Sequence, residues 1–308
     1  MEPEREDAAM QAVQFENYGG PEVLHLAEVD EPQAGPGRVR IRVKAATVNP
    51  YDYKQRSGMM ARGATPAAPI VPGLDAAGVV DQVGEGVTGV DVGDEVFGLG
   101  SATYAEYAVL RAWAPKPAGL GWGEAAGLGV AGETSLRALG LLGLRPGQTL
   151  LVHGAAGGVG QAAVQVAVAE GLRVIGTASE ANHDLLRSLG AEPTTYGEGL
   201  VERVATLAPD GVDGVFDTAG SQTGDLIAIV DDPAQVVTIA AYGAAELGAR
   251  FTGGGGDASA ALAKIAELAA SGALRVTLAR SFDLGEAAAA HALSESRKAD
   301  GKLVLTVG

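Results

Sequence analysis

The chain has 308 residues, 47% of them hydrophobic, no cysteine and a formal charge of −16. That length favours two globular domains with a substantial core, and the lack of cysteine excludes disulfides, thiolate zinc sites and a cysteine nucleophile. An acidic balance with no run of Lys and Arg argues against a nucleic-acid footprint or an electrostatic membrane anchor, which leaves a small molecule as the expected partner.

The amino end, MEPEREDAAM, is acidic and lacks the basic-then-apolar order of an export signal. No uninterrupted apolar run approaches the roughly 18 residues of a membrane span, so a cytoplasmic protein is expected. Residues 1–125 read as a β-rich domain: VRIRVKAATV (39–48) and AGVVDQVG (77–84) carry alternating or β-branched apolar residues. Glycine and proline punctuate them, as in EPQAGPG and DVGDEVFG, which predicts the tight turns of a small barrel or sandwich.

Over residues 126–252 the rhythm becomes strand, helix, strand: TLLVHG, a helix over 161–170, LRVIGTAS, a helix through LLRSLG, then GVDGVFDTAG and QVVTIAAYG. Short buried strands alternating with helices imply a doubly wound parallel sheet of the α/β class. Beyond Phe251 come the run Gly253 to Gly256, a helix in SAALAKIAELAASG, and strands LRVTLA and KLVLTV. Residues 253–308 are expected to return to the β-rich domain, because six strands already complete a nucleotide-binding sheet.

The turn in LVHGAAGGVGQAAVQVAVAEG contains Ala155, Gly157, Gly158, Val159 and Gly160, a relaxed dinucleotide fingerprint with alanine first. Small residues let the backbone approach a pyrophosphate, and the following helix offers free N–H groups and a partial positive charge to it. A tight turn without ligand is the plain alternative. The strand before, the helix after and the second strand ending near Thr177 supply the βαβ frame that favours the ligand. No Lys-Ser/Thr follows Gly160, so a P-loop is disfavoured. An acidic residue at the tip of the second strand would grip an unphosphorylated ribose. The tip carries Ser179, which favours NADPH over NADH, although Glu180 stands one step away. Partners for the 2′-phosphate are sought among Ser179, Tyr196, Arg187 and His183. Asp217 and Gly220 in FDTAG fall at a strand's carboxyl end, where ligands of open sheets collect; Ile239, Ala240 and Ala241 follow at the next, where backbone is expected to meet the carboxamide. His153 is expected to be a packed histidine.

The segments AATVNPYDYKQRSG, PIVPGLDAAGVVDQVGEGV, VGDEVFG, TYAEYAV, LLVHGAAGGVGQAAVQVA, RSLGA, FDTAG and GKLVLTV, in this order, resemble the zinc-independent quinone oxidoreductase branch of the medium-chain dehydrogenases, relatives of zeta-crystallin. The resemblance implies a GroES-like catalytic domain interrupted by a Rossmann domain, a homodimer, and NADPH-dependent hydride transfer to quinones or α,β-unsaturated carbonyls. No metal is expected: the zinc-dependent branch has a histidine and glutamate where this chain reads Gly73-Leu74-Asp75, and the four histidines are scattered. In the family NPYDYK lies beside the nicotinamide. Asn49 and Lys54 are thereby expected to bond substrate oxygen or cofactor ribose, and Lys54 to stabilise an enolate or donate a proton. Tyr53 and Tyr51 are read as pocket wall, proton donor or packing alone, Thr134 as the family's threonine near the nicotinamide or a plain helix residue, and Asp75 as structural. The basic residue common after the serine tip is Ala181 here, which weakens the case for NADPH. A nucleotide-binding redox sensor or scaffold, and a tailoring enone reductase of a biosynthetic pathway, stand as alternatives.

Overall fold

The computed structural model describes residues 9–61 and 63–308; the acidic residues 1–8 of the amino end lie outside the described residues. In chain order the elements are β1 (Ala9–Gln14), β2 (His25–Asp30), β3 (Val39–Val48), α1 (Pro50–Arg56), β4 (Asp75–Val83), β5 (Glu95–Ser101), β6 (Tyr107–Pro115) and α2 (Trp122–Leu142). Then come β7 (Thr149–His153), α3 (Gly158–Ala169), β8 (Arg173–Thr177), α4 (His183–Ser188), β9 (Glu192–Thr194), α5 (Leu200–Leu207), β10 (Gly214–Asp217), α6 (Thr223–Ala228), β11 (Val236–Thr238) and β12 (Arg250–Phe251). The chain closes with α7 (Ala258–Ala270), β13 (Leu278–Asp283), α8 (Ala287–Glu295) and β14 (Lys302–Thr306). Two compact units result, Met1–Val130 with Thr277–Gly308, and Ala131–Val276.

In the first unit a six-stranded sheet runs β13-β14-β3-β4-β5-β6, and an additional pairing of β3 with β6 closes four of these strands into a barrel. The alternation in VRIRV does this locally: Val39, Ile41 and Val43 are fully buried, while Arg40 turns outward between Glu31 and Asp81 and over the Tyr107 ring. Past Val43 the strand is paired by β4 and β14 and every residue from Ala45 to Val48 is buried, which explains why small apolar residues replace the alternation.

The second unit is a six-stranded, wholly parallel sheet in the order β12-β11-β10-β7-β8-β9. Central β7 buries Leu150, Leu151 and Val152 completely, as a strand covered on both faces must. The order reverses beside β7, so its carboxyl end opens at the topological switch point. The architecture is thus α/β, with a GroES-like β-rich unit and a Rossmann unit.

Two expectations about the tail are corrected. The chain leaves the Rossmann unit after Val276, not at 253, because α7 is packed inside that unit. Ile265 is fully buried beside Gly132, where an added Cβ would come within 2.7 Å of its Cγ1. Gln165 also accepts the Arg275 N–H at 2.9 Å and donates to the Arg275 carbonyl at 3.0 Å. With residue 275 so held, the strand expected at LRVTLA starts instead at Leu278, opposite Lys302 of β14. The glycine run at 253–256 belongs to the Rossmann unit, where residues 254–256 line a shallow cleft with Glu133, Arg137 and Thr252. Among the described residues no helix is long and apolar enough to cross a membrane.

Candidate functional site

The glycine turn between β7 and α3 divides its glycines by purpose. Gly154 sits at φ +81°, and the Cβ it lacks would meet Thr218 Oγ1 at 2.6 Å. At Gly160 a Cβ would lie 2.3 Å from the Gly154 carbonyl oxygen and 2.7 Å from Ala155 Cα, so glycine there lets the helix close against the turn. Gly157 is different. Its backbone is ordinary, at φ −73° and ψ 164°, and the nearest neighbour of an added Cβ is the Gly154 oxygen at 3.5 Å. Neither conformation nor packing requires glycine at this position, and the space beside it is open. Gly157 is also the N-cap of α3, and no side chain caps the helix. The amides of Gly158, Val159 and Gly160 therefore face that opening with the positive end of the helix behind them, a cradle suited to a diphosphate. Ala155, expected among the cofactor contacts, is instead fully buried and gives its N–H to the Thr177 carbonyl at 2.9 Å. Its small side chain fills the strand-helix corner.

His153 anchors the turn. Thr177 Oγ1 accepts the Gly154 N–H at 3.0 Å and stands 2.9 Å from His153 Nδ1, while His153 Nε2 is 3.2 Å from Ser221 Oγ. Burial lowers the imidazole's pKa, against the opposing pull of Asp217 and Asp225. The packed role read from the sequence is the role the geometry describes.

Parallel register pairs Thr177 with Thr194, so Ser179 and Tyr196 each lie two residues past neighbouring strand ends. Ser179 is half-buried; Tyr196 is 56% exposed. Arg187 turns back onto its own helix and pairs with Asp184 at 2.6 Å, so it is not held ready for a phosphate. His183 Nε2 is buried without a partner among the described residues. Thr134 is 7% exposed on α2, with only long contacts of 3.4 Å to Glu133 and Arg137.

At the ends of β10 and β11 the expected cofactor contacts are corrected by their hydrogen bonds. Asp217 is fully buried: one carboxylate oxygen accepts the amides of Ala219 and Gly220, both at 2.9 Å, and the other accepts the Thr238 hydroxyl at 2.8 Å. Thr238 Oγ1 in turn accepts the amides of Ala240 and Ala241, both at 3.1 Å, and the Ile239 amide goes to the Asp217 carbonyl. With all three N–H groups committed, residues 239–241 have no amide donor for a carboxamide, and the carbonyls of Ile239 and Ala240 remain as acceptors. Asp217 shapes both loops from beneath. Gly220, at φ +73°, presses against Ala240, where an added Cβ would come within 2.8 Å.

In the GroES-like unit, NPYDYK forms α1 and is held from below by a buried polar cluster. Asn49 is 3% exposed; its Nδ2 donates to Asp75 Oδ1 at 2.8 Å and its Oδ1 accepts from Lys302 Nζ at 2.7 Å. The amide is committed on both sides, so Asn49 is corrected from a direct ligand to a residue that fixes the segment. Asp75 is structural, as read: it also accepts from Thr47 Oγ1 at 2.5 Å and the Val130 amide at 2.8 Å. Asp52 accepts the Asn49 N–H at 2.7 Å and the Tyr104 hydroxyl at 3.1 Å, and His291 Nε2 lies 3.3 Å from that hydroxyl. Burial, then the nearby Asp75, pushes the Asp52 carboxyl up to about 7 against the pull of its hydrogen bonds; burial, then Arg56, pushes His291 down to about 3. Lys54 is half-buried, and desolvation followed by Arg297 lowers its pKa. Tyr53 is 9% exposed and Tyr51 39%.

The sequence reading missed Asp52, Tyr104, Lys302 and Thr238. Asp52 was signalled by Asn49-x-x-Asp52, the spacing of a helix-capping pair. The other three carry no local signal, since their partners lie 52, 253 and 21 residues away.

A family model described as alcohol dehydrogenase GroES-like domain matches residues 35–119, and one described as zinc-binding dehydrogenase matches residues 189–305. The quinone oxidoreductase of Rattus norvegicus is 36% identical over 254 residues, spanning 79% of this chain and 77% of its own. The 2-methylene-furan-3-one reductase of Solanum lycopersicum is 36% identical over 248 residues, spanning 75% of this chain and 62% of its own. Among solved structures, a mycobacterial protein complexed with NADPH superposes with a TM-score of 0.85 at 28% identity, covering 97% of this chain and 100% of that one.

Proposed function

The chain belongs to the quinone oxidoreductase branch of the medium-chain dehydrogenases and is thereby a nicotinamide-nucleotide oxidoreductase; from that premise we propose that it reduces quinones or α,β-unsaturated carbonyls with NADPH and without zinc. The observation that carries the reading is Gly157, a glycine that neither backbone nor packing requires, beside the uncapped amino end of α3. Ser179 and Tyr196 at the neighbouring strand ends, with no carboxylate at the tip itself, favour the phosphorylated ribose. The NADPH complex of the mycobacterial neighbour and the enone substrate in the tomato relative's name point the same way.

Bound NADPH supplies the hydride; the protein supplies proximity and charge stabilisation. We assign Lys54 Nζ to the substrate oxygen, where its cation offsets developing negative charge and its lowered pKa eases release of a proton. Tyr53, its neighbour on α1 and 9% exposed, we read as pocket wall. Asn49, Asp52, Asp75 and Lys302 hold α1 so that Lys54 is presented from a fixed backbone. Zinc does not fit the donors: the chain has no cysteine, Asp75 is spent on Thr47, Asn49 and the Val130 amide, and among the described residues no group of three or more His, Asp and Glu side chains converges. The resemblance also carries a homodimer, which sedimentation would check.

The test is to mix purified protein with NADPH and a panel of quinones and enones while following the reduced-nicotinamide absorbance. Turnover with at least one class supports the reading, and none with any refutes it; NADPH binding without turnover would favour the sensor alternative.

A further inference from the structure

Tyr196 presents an exposed ring from a loop whose backbone is tied down on two sides. Arg203 of α5 reaches under it: Nη1 donates to the Glu198 carbonyl at 2.7 Å and Nη2 to the Thr195 carbonyl at 2.9 Å, with the carbonyls of Tyr196 and Gly197 at 3.4 and 3.5 Å. Gln222 grips the loop from the other side. Its Oε1 accepts the Gly197 N–H at 2.8 Å, and its Nε2 donates to the Gly197 carbonyl at 3.2 Å and to Asp225 at 2.8 Å.

Gln222 makes this grip from a left-handed backbone, φ +58° and ψ +29°, one of three non-glycine residues at positive φ among those described. Glutamine has no local bond of the Asn or Asp kind to ease that conformation, so the strain is borne by the surroundings, and such outliers gather where geometry serves a ligand. Its neighbour Ser221 meets His153, which meets Thr177, whose hydroxyl oxygen holds the Gly154 amide. One continuous set of hydrogen bonds therefore runs from the glycine turn through Ser221-Gln222 to the Tyr196 loop.

We propose that Gln222, with Arg203 beneath the same loop, is a positioning residue that sets Tyr196 for the 2′-phosphate of NADPH, and so fixes coenzyme preference from a residue that does not touch the coenzyme. The proposal rests on the NADPH reading above. Register places Tyr196 beside Ser179 at adjacent strand ends, which lie about 5 Å apart in a sheet, so a small movement of residue 197 moves the ring against that tip.

The experiment compares dissociation constants by calorimetry for NADPH, NADH, 2′,5′-ADP and 5′-AMP in the wild type, Gln222→Gly, Tyr196→Ala and the double variant. Gln222→Gly relieves the left-handed strain while deleting the grip, so folding is preserved, and a thermal melt checks it; Gln222→Asn, which tolerates the conformation but cannot reach as far, is the second variant. The wild type is expected to prefer NADPH and 2′,5′-ADP. Both Gln222 variants should lose about tenfold of that preference, the scale of a lost pair of hydrogen bonds, with NADH and 5′-AMP affinity nearly unchanged, and Gln222→Gly should add nothing in the Tyr196→Ala background. A wild type that prefers NADPH while both Gln222 variants keep the full preference, or an equal loss with and without Tyr196, overturns the proposal alone. A wild type that binds neither nucleotide, or both equally, overturns the NADPH reading and the proposal with it.

Discussion

Replacing Gly157 and Gly160 separately by alanine adds the same methyl group at two positions three residues apart, and the structure predicts opposite phenotypes. At Gly160 the methyl would lie 2.3 Å from a backbone oxygen and 2.7 Å from a backbone carbon, atoms that cannot rotate away. Overpacking of this kind costs about 1–3 kcal/mol or more, which outweighs the roughly 1 kcal/mol that alanine gains over glycine inside a helix. Gly160→Ala should therefore unfold at lower denaturant. At Gly157 the methyl meets nothing closer than 3.5 Å. The weaker N-cap preference of alanine and the lower entropy of its unfolded chain oppose each other, leaving stability within about 1 kcal/mol of wild type. If the diphosphate is seated on the α3 amides beside this position, the methyl competes with it for space, so NADPH affinity should fall at least about tenfold, a loss of roughly 1.4 kcal/mol. Urea unfolding and calorimetric titration of both variants decide it. Gly157→Ala protein that folds normally and binds NADPH like wild type would refute the assignment of the turn as a diphosphate cradle.

Asp52→Asn tests the buried cluster beneath α1. A carboxyl raised from an ordinary 3.8 to about 7 binds its proton more tightly in the folded chain, so its contribution favours folding below the unfolded pKa and is lost as pH rises through about 7. The variant should match wild type near about pH 4 and exceed it above about pH 8 by on the order of 4 kcal/mol, read from urea unfolding at each pH; a pH-independent difference would contradict the burial argument. Thr238→Val keeps the shape but strands the amides of Ala240 and Ala241 and one Asp217 oxygen. It should cost about 2–4 kcal/mol of stability and raise the KM for NADPH, and an unchanged melt would show the loops do not depend on it. Lys54→Ala should lower kcat about 100-fold while leaving the NADPH dissociation constant alone; a wild-type kcat would remove Lys54 from the chemistry.

Backbone demands were largely visible in the chain, while side-chain commitments were not. The strand VRIRVKAATV and the frame around the glycine turn carry period-two alternation and small residues that are local signals, and the structure places both where they were expected. The tail differs from expectation because the contacts that keep it in the Rossmann unit, Ile265 of α7 against Gly132 and Gln165 on the backbone of Arg275, join residues more than 100 apart in the chain. Asn49, Asp217 and the amides of 239–241 sit at the expected strand and helix ends, yet Asn49 is consumed by Lys302 and Asp75, the Asp217 carboxylate by Thr238 and the amides of 219 and 220, and the three amides by the Asp217 carbonyl and Thr238. A sequence pattern marks which segment reaches a site; only the hydrogen-bond partners tell whether a given atom is left for a ligand.

The most direct measurement is a crystal structure of the protein grown with NADPH. The diphosphate oxygens are predicted within hydrogen-bond distance of the amides of residues 158–160, with the adenosine 2′-phosphate between Ser179 and Tyr196. Nucleotide bound elsewhere on the Rossmann unit, or that turn empty at saturating NADPH, would contradict the account.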